Sequence, residues 1–412
     1  MNSTTIAVDV AKSVFEVAVS EYPGQVRERH RLSRGRFSRF LAEHPPATVV
    51  MEACGSAHHW AREAQSRGHR VILVPPHAAR PYVLRNKTDR TDAKGLLEAF
   101  RNDDLRPVPV KSETQQALAG LHRLRSAWVA TRTARLNTLR GILREFGVVI
   151  PTGAHHVVPH VRALLEDLDA GAPGLLRVAL GEVIREVGEL EERIRAIERQ
   201  LATAAEPALI IRRLRTVPGI GVLTATALVA AVGDVQRFPS ARHFASYLGL
   251  TPREHSTGQR RHLGAISKQG DTYLRMLFIH GARSVLHHAK SKTAPATDRL
   301  RTWALQVERL RGHNKAAVAL ANKLARIAWA SLAERERLHR GSRCLNHVTD
   351  ELTRGCAAND TDGAPAPTGA RGKPASPMAA QAAVTIGSPR ATSIMARSVS
   401  APFREAGDTS AV

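Results

Sequence analysis

Four acidic residues in the first hundred positions have surroundings that suggest chemistry. Asp9 sits inside the apolar run IAVDV, and Glu52 closes another, TVVME. A carboxylate among valines and methionine is costly to bury unless it is paired or bound to a metal. Asp89 and Asp92 lie three apart in NKTDRTDAK, among the cations Arg85, Lys87, Arg90 and Lys94. Residues three apart on a helix share a face, so both aspartates can address one point. Hard oxygen ligands gathered in this way suit Mg²⁺ or Mn²⁺. Two such ions can clamp the attacking and leaving oxygens of a phosphodiester. Each piece alone has a plainer explanation. Asp9 fits an actin-like phosphotransferase, Glu52 a helix cap or surface charge, and the Asp89/Asp92 pair a helix start favoured by the macrodipole.

A second candidate lies in GLTPREHSTGQRRHLGAISKQGDTYLR, residues 249 to 275. Ser256 and Thr257 precede a glycine and the cations Arg260 and Arg261, with Lys268 further on. A hydroxyl beside arginines can attack a phosphodiester, because the cations stabilise the charge that develops. A Ser-Thr-Gly turn is also a common structural device. A third candidate is TVPGIGVLTATALVAAVG, residues 216 to 233. Pro218, Gly219 and Gly221 open a helix with small residues at Ala225 and Ala227, the pattern of a helix-hairpin-helix. Glycines let a backbone approach a phosphate, and the helix N-terminus that follows can bind it without reading sequence. Arg212, Arg213 and Arg215 stand just upstream. The alternative is a structural turn between packed helices.

These residues need elements to position them. Residues 1–105 read as α/β. TIAVDVA and VFEVAVS form a hairpin, QVRERHRLS an edge-like strand, and TVVMEA and RVILVPP buried strands. The helices FSRFLAEH, HHWAREAQSRG and TDAKGLLEAFRN alternate with them, which implies a mostly buried mixed sheet. Residues 106–205 are helical, with a long arginine-rich pattern from Glu113, a break at IPTGAHHVVP, and a second long helix. That helix places Val183, Val187, Leu190, Ile194, Ile197 and Leu201 on an a/d seam. Two readings stand: a helix packed on its own domain, or a coiled-coil arm for self-association. Residues 206–338 read as a mostly helical unit with one Gly- and Arg-rich insertion. Residues 339–412, rich in Ala, Pro, Gly and Ser, read as a disordered tail.

Composition narrows the partners. The chain has 412 residues, 43% hydrophobic, with a formal net charge of +23. That excess points first to nucleic acid, through counterion release, and second to an anionic membrane surface. No apolar run reaches the ~18–20 residues that span a bilayer. The N-terminus has no signal-peptide pattern, so a soluble cytoplasmic protein is expected. The three cysteines, Cys54, Cys344 and Cys356, form no CxxC pair and no disulfide framework. The histidine pairs lack partners at zinc-ligand spacing.

IAVDVAK, VVMEACGS and NKTDRTDAKGLLEA resemble the RuvC-like (ribonuclease-H-fold) domain of DEDD-type insertion-sequence transposases, the group that includes Piv-type DNA invertases. VPGIGVLTATALVAAVGD through GLTPREHSTGQRRHLGAISKQGDTYLRMLFIHGA resembles that group's C-terminal transposase domain. The resemblance covers roughly residues 4 to 335. It implies that Asp9, Glu52, Asp89 and Asp92 hold Mg²⁺, with Mn²⁺ as the alternative. It also implies that a serine in Ser256-Thr257-Gly258 forms a covalent link to DNA. Ser256 is the first choice and Thr257 the fallback, since a threonine is more hindered at its β-carbon. Further implied are donor and target DNA, a structured guide (bridge) RNA, and homodimers that pair into a tetramer. The charge, the arginine-rich helix at residues 122 to 144 and the heptad seam are consistent with these partners.

The expected architecture is therefore an α/β RuvC-like domain, a helical coiled-coil arm and a helical transposase domain with a helix-hairpin-helix. The expected function is a transposase or recombinase that cuts and rejoins DNA. The principal rival is a RuvC-like nuclease that uses metal-activated water. An actin-like sugar or acetate kinase and a non-catalytic nucleic-acid-binding protein are the others.

Overall fold

The computed structural model describes residues 4–22, 25–82, 89–167, 174–290 and 299–338. The tail expected to be disordered, Cys344 and Cys356, and the side chains of Arg85, Lys87 and Arg90 lie outside the described residues. No helix among those described is long and apolar enough to cross a membrane. The chain divides into two compact units. One takes the described residues up to Arg125 and from Ala196 onward; the other is Ser126–Arg195.

In the first unit, short apolar runs buried on both faces build most of a five-stranded sheet. Its strands are β1 (Thr5–Asp9), β2 (Val14–Ser20), β3 (Glu28–Ser33), β4 (Thr48–Glu52) and β5 (Arg70–Val74), in the order β3-β2-β1-β4-β5. β1, β2 and β3 pair antiparallel, and β1–β4 and β4–β5 pair parallel. Parallel neighbours need crossovers. These are α1 (Arg34–Glu43) and α2 (Ala57–Ser66), which cover one face. There Phe15, Phe37 and Trp60 pack edge to face at 5.0–5.1 Å between ring centroids. A short α3 (Pro76–Ala79) follows β5, and α4 (Asp89–Phe100) covers the opposite face. On that face Ala93, Leu96, Leu97 and Ala99 bury Ala7, Ala18 and Val50.

α5 (Glu113–Glu145) follows the sheet in the chain, with its first turns in the first unit. The second unit contains its later turns, α6 (Val157–Glu166), and most of α7 (Gly174–Ala205). α6 lies just beyond the expected break at IPTGAHHVVP. Leu136, Leu139 and Leu143 of α5 close a core with Val157, Val161, Leu180 and Val187. Arg135 pairs with Glu186 at 2.6 Å and Arg132 with Glu191 at 3.7 Å. The numbers fall on one helix as they rise on the other, so α5 and α7 run antiparallel. The heptad seam is consumed by this packing. Val187, Leu190, Ile194, Ile197 and Leu201 are all buried in the single chain, and Val183 packs against the same core. Of the two readings of the seam, packing on its own chain is the one the single chain shows.

The rest of the first unit is helical: α8 (Leu209–Arg215), α9 (Val222–Val232), α10 (Ala241–Tyr247), α11 (Thr272–Ala289), α12 (Arg299–Arg311) and α13 (His313–Leu338). The Gly- and Arg-rich insertion adds a small hairpin of β6 (Pro252–Glu254) and β7 (Leu263–Ile266). A buried polar triad ties α5 to α9 and α11. His122 Nε2 lies 3.0 Å from Thr226 Oγ1, and Nδ1 lies 3.0 Å from the Tyr273 hydroxyl. Thr226 spends its proton on the Val222 carbonyl at 2.7 Å. It therefore accepts from Nε2–H, which fixes the neutral tautomer.

Burial, and then Arg125, push His122 down from 6.5 to about 4. Burial, then Lys111 and Arg62, do the same to His58. Below the ordinary value the unfolded chain takes up protons that the folded imidazoles refuse until about 4. Stability is therefore constant above pH 6.5 and falls as pH drops from 6.5 towards about 4. Thermal melts should show this slope, and His122→Gln should melt lower at neutral pH with a shallower slope. A melting temperature unchanged through the window in the wild-type chain would show that these imidazoles are not held neutral.

Candidate active site

Strand parity decides which way the first carboxylates face. Ile6 and Val8 of β1, with Val49 and Met51 of β4, belong to the core under α1 and α2. Ala7 and Val50 belong to the core under α4. Asp9 and Glu52 have the parity of Ala7 and Val50, so both lie on the α4 face. β1 and β4 are parallel with Val8 beside Met51, and Asp9 and Glu52 are the next and last residue of each strand. The two carboxylates therefore emerge from adjacent strand ends. The nearby Cys54 responds to both: burial pushes its thiol up, and the charges of Glu52 and Asp9 add to the shift. Its Sγ donates to the Val10 carbonyl at 3.7 Å.

α4 brings the other pair to the same face. Asp89 is its first residue, with its side chain outside the described ones, and Asp92 follows one turn later. Both sit where the helix dipole favours negative charge. Asp92 Oδ1 is buried and has no hydrogen-bond partner among the described residues. A buried carboxylate oxygen in that state is the exception in folded proteins. An all-oxygen donor set with an orphaned buried oxygen fits a hard divalent cation. Among the described residues, however, no three His, Cys, Asp or Glu side chains already gather into a group that could hold one.

Cross-strand pairing adds a residue that sequence reading missed. Glu16 of β2 is the direct partner of Asp9, and Arg31 of β3 is the direct partner of Glu16. Arg31 Nε stands 3.4 Å from Glu16 Oε1. Arg31, Glu16, Asp9 and Glu52 thus form one row across the sheet. Arg31 offsets part of the like-charge repulsion between opposed carboxylates.

The second cluster is the β6–β7 hairpin. Ser256 is exposed just past β6, and its hydroxyl donates to Glu254 Oε1 at 2.7 Å. The His262 amide donates to Ser256 Oγ at 3.3 Å. Arg261 Nε donates to the same Glu254 oxygen at 3.0 Å. The Ser256 and Arg261 bonds hold the Glu254 carboxyl below its ordinary value. Thr257 instead bonds through its backbone, exchanging amide and carbonyl with Arg260 across the turn at 3.2 and 2.9 Å. Sequence reading passed over Glu254; once β6 is a strand, two-residue spacing puts it on the face of Ser256. On the other side of the hairpin, Lys268 joins Arg253 and His255 around a shallow cavity of about 340 Å³. Arg260 is exposed at the tip.

A buried arginine anchors this hairpin. Arg275 of α11 donates from Nη1 to the carbonyls of Leu248 at 3.1 Å and Gln269 at 3.2 Å, and from Nη2 to Thr272 Oγ1 at 3.1 Å. Gly270, at φ +86°, lies so close that an added Cβ would meet the Tyr247 carbonyl oxygen at 1.8 Å. The chain re-enters α11 here only with glycine.

In the turn between α8 and α9, Pro218 and Gly221 face solvent, and Gly221 precedes the first turn of α9. Gly219, at φ +83°, has another duty. An added Cβ would meet the Gly281 carbonyl oxygen of α11 at 2.9 Å. Close helix packing therefore accounts for that glycine without a phosphate.

Known proteins match the segments that contain both clusters. A transposase family model of the DEDD type of IS110 elements matches residues 6–148. A second model, described as transposase IS116/IS110/IS902 family, matches residues 211–297. The chain is 44% identical over 337 residues to a probable family 20 transposase of Pseudomonas aeruginosa, covering 81% of this chain and 98% of that one. It is 36% identical to the transposase for insertion sequence element IS1111A of Coxiella burnetii, covering 80% and 90% respectively. It is 26% identical to the pilin gene-inverting protein of Moraxella bovis, covering 63% and 75%.

Proposed function

The chain belongs to the IS116/IS110/IS902 transposase family and is a DNA strand-transfer enzyme; from that premise we propose that it cuts and rejoins DNA through a serine-linked intermediate. One observation carries the reading. Ser256 and Thr257 are both exposed, and the hydroxyl of Ser256 is bonded to a carboxylate that Arg261 also holds. A serine hydroxyl needs such an acceptor to become a nucleophile at neutral pH. Ser256 attacks the scissile phosphate and stays bound to it, and a hydroxyl of the other duplex displaces the serine. Arg260 and Arg261 face the charge that builds on the phosphate oxygens. Pro218, Gly221 and the first turn of α9, with Lys268, hold backbone phosphates without reading sequence.

Asp9, Glu52, Asp89 and Asp92 are the residues proposed to hold Mg²⁺ or Mn²⁺. A divalent ion bound there supplies Lewis-acid stabilisation of the phosphate charge. The side chains' own part is to present hard oxygens from two strand ends and one helix start. Carboxylates and serine lie in different segments of the chain, so the active site is composite. Self-association completes it. The charge of +23 and the arginines of α5 support a structured guide RNA as a partner beside DNA.

The test is a suicide DNA substrate offered to the full chain with the RNA that co-purifies with it. A covalent protein–DNA adduct is expected, absent in Ser256→Ala and present in Thr257→Ala. An adduct lost only in Thr257→Ala moves the nucleophile by one residue. Cleavage without any adduct in the wild-type chain replaces the serine reading by metal-activated water.

A further inference from the structure

We infer that Glu254 is a catalytic residue, the base that takes the Ser256 proton as the serine oxygen attacks phosphorus. The inference rests on the serine reading and names the partner that reading requires. Three contacts carry it. The hydroxyl is already aimed at Glu254 Oε1 at 2.7 Å, within the reach expected of a general base. The His262 amide donates to Ser256 Oγ at 3.3 Å, which occupies one lone pair of the attacking oxygen. Arg261 Nε holds Oε1 from the far side at 3.0 Å, so the carboxylate keeps one orientation rather than rotating freely. Both bonds also keep Glu254 ionised, and hence able to accept, through the neutral range.

The step balances. The Oγ–H bond of Ser256 breaks and its proton passes to Glu254. The Oγ–P bond forms, and the bond from phosphorus to the leaving strand oxygen breaks, that oxygen taking a proton from water. In the rejoining step an incoming strand hydroxyl loses its proton to water and displaces Oγ, which recovers its proton from Glu254. No net proton, electron or co-reactant is left over.

Single-turnover adduct formation on the suicide substrate, followed across pH, tests the assignment in the full chain. Wild type should give a rate nearly independent of pH around neutrality. Glu254→Gln keeps a side chain that can accept the hydroxyl's bond but not its proton. Its rate should fall about 10²–10⁴-fold, the usual contribution of a positioned base. That rate should climb with pH as solvent takes over the proton. Glu254→Asp should be intermediate and keep the flat wild-type profile, which separates lost base from lost fold. A wild-type rate in Glu254→Gln overturns the assignment, and so does a slow rate with a flat profile, which marks a structural role. Both outcomes leave the serine reading standing. An adduct that persists in Ser256→Ala removes the reading beneath it.

Discussion

An Asp92→Ala chain should melt at or above the wild-type temperature while losing strand cleavage by more than about 10²-fold, since removing even an outer partner of a metal ligand costs 10–100-fold. The two halves of this expectation have separate origins. Asp92 Oδ1 is buried without a hydrogen bond among the described residues. An unmet buried polar atom costs about 1–3 kcal/mol, and alanine adds up to ~0.7 kcal/mol of helix propensity, while losing the helix-dipole interaction costs ~0.3–1 kcal/mol. The balance is roughly zero to 3 kcal/mol in favour of the variant. Activity moves the other way, because the same oxygen is proposed to face a divalent ion beside Asp9 and Glu52. Stability surrendered for a site is the usual mark of function. Thermal melts and a cleavage assay in Mg²⁺ check the pair of signs. Lower stability together with lost cleavage would mark Asp92 as a structural residue, and full cleavage would remove it from the site.

The two clusters were unequally legible in the sequence. VFEVAVS and TVVME are short, apolar, valine-rich runs, a local signal for strands. The strand positions of Asp9 and Glu52 could therefore be read from local pattern, and parity then fixes their common face. Glu16 was invisible because its role depends on which residue of β1 it pairs with, a property of the hairpin rather than of any motif. The heptad in α7 was legible as a period, but a period names no partner. Its own α5 supplies that partner, through leucines 136, 139 and 143. The hairpin was hardest. PRE and LGAI are too short and too exposed for hydrophobic alternation to signal strands. Without β6, Glu254 and Ser256 are merely two residues apart. Gly219 shows a different limit: the glycine is visible in the sequence, but part of the requirement for it comes from α11, 62 residues away in sequence at Gly281.

That hairpin has little core of its own, so its placement depends on the anchor below it, and Arg275→Met should expose this. Arg275 is only 8% exposed. Methionine can fill much of the volume, but it leaves the carbonyls of Leu248 and Gln269 without their guanidinium donor. Loss of charge-assisted bonds at a buried site should cost about 3 kcal/mol, a fall of roughly 6–12 °C in melting temperature for a unit of this size. The effect on chemistry should be larger than the residue's distance from Ser256 suggests, because a shift of about 1 Å in a reacting group can cost 10²-fold. Adduct formation should therefore slow by about that factor at every pH. Its pH profile should keep the wild-type shape, since the Glu254–Ser256 pair travels with the hairpin. That shape distinguishes the anchor from the base: Glu254→Gln tilts the profile, whereas Arg275→Met lowers it. A chain with Arg275→Met that melts and reacts as wild type would show that Gly270 and the packing of Tyr247 hold the hairpin unaided. A tilted profile would show that Arg275 acts on the proton rather than on position.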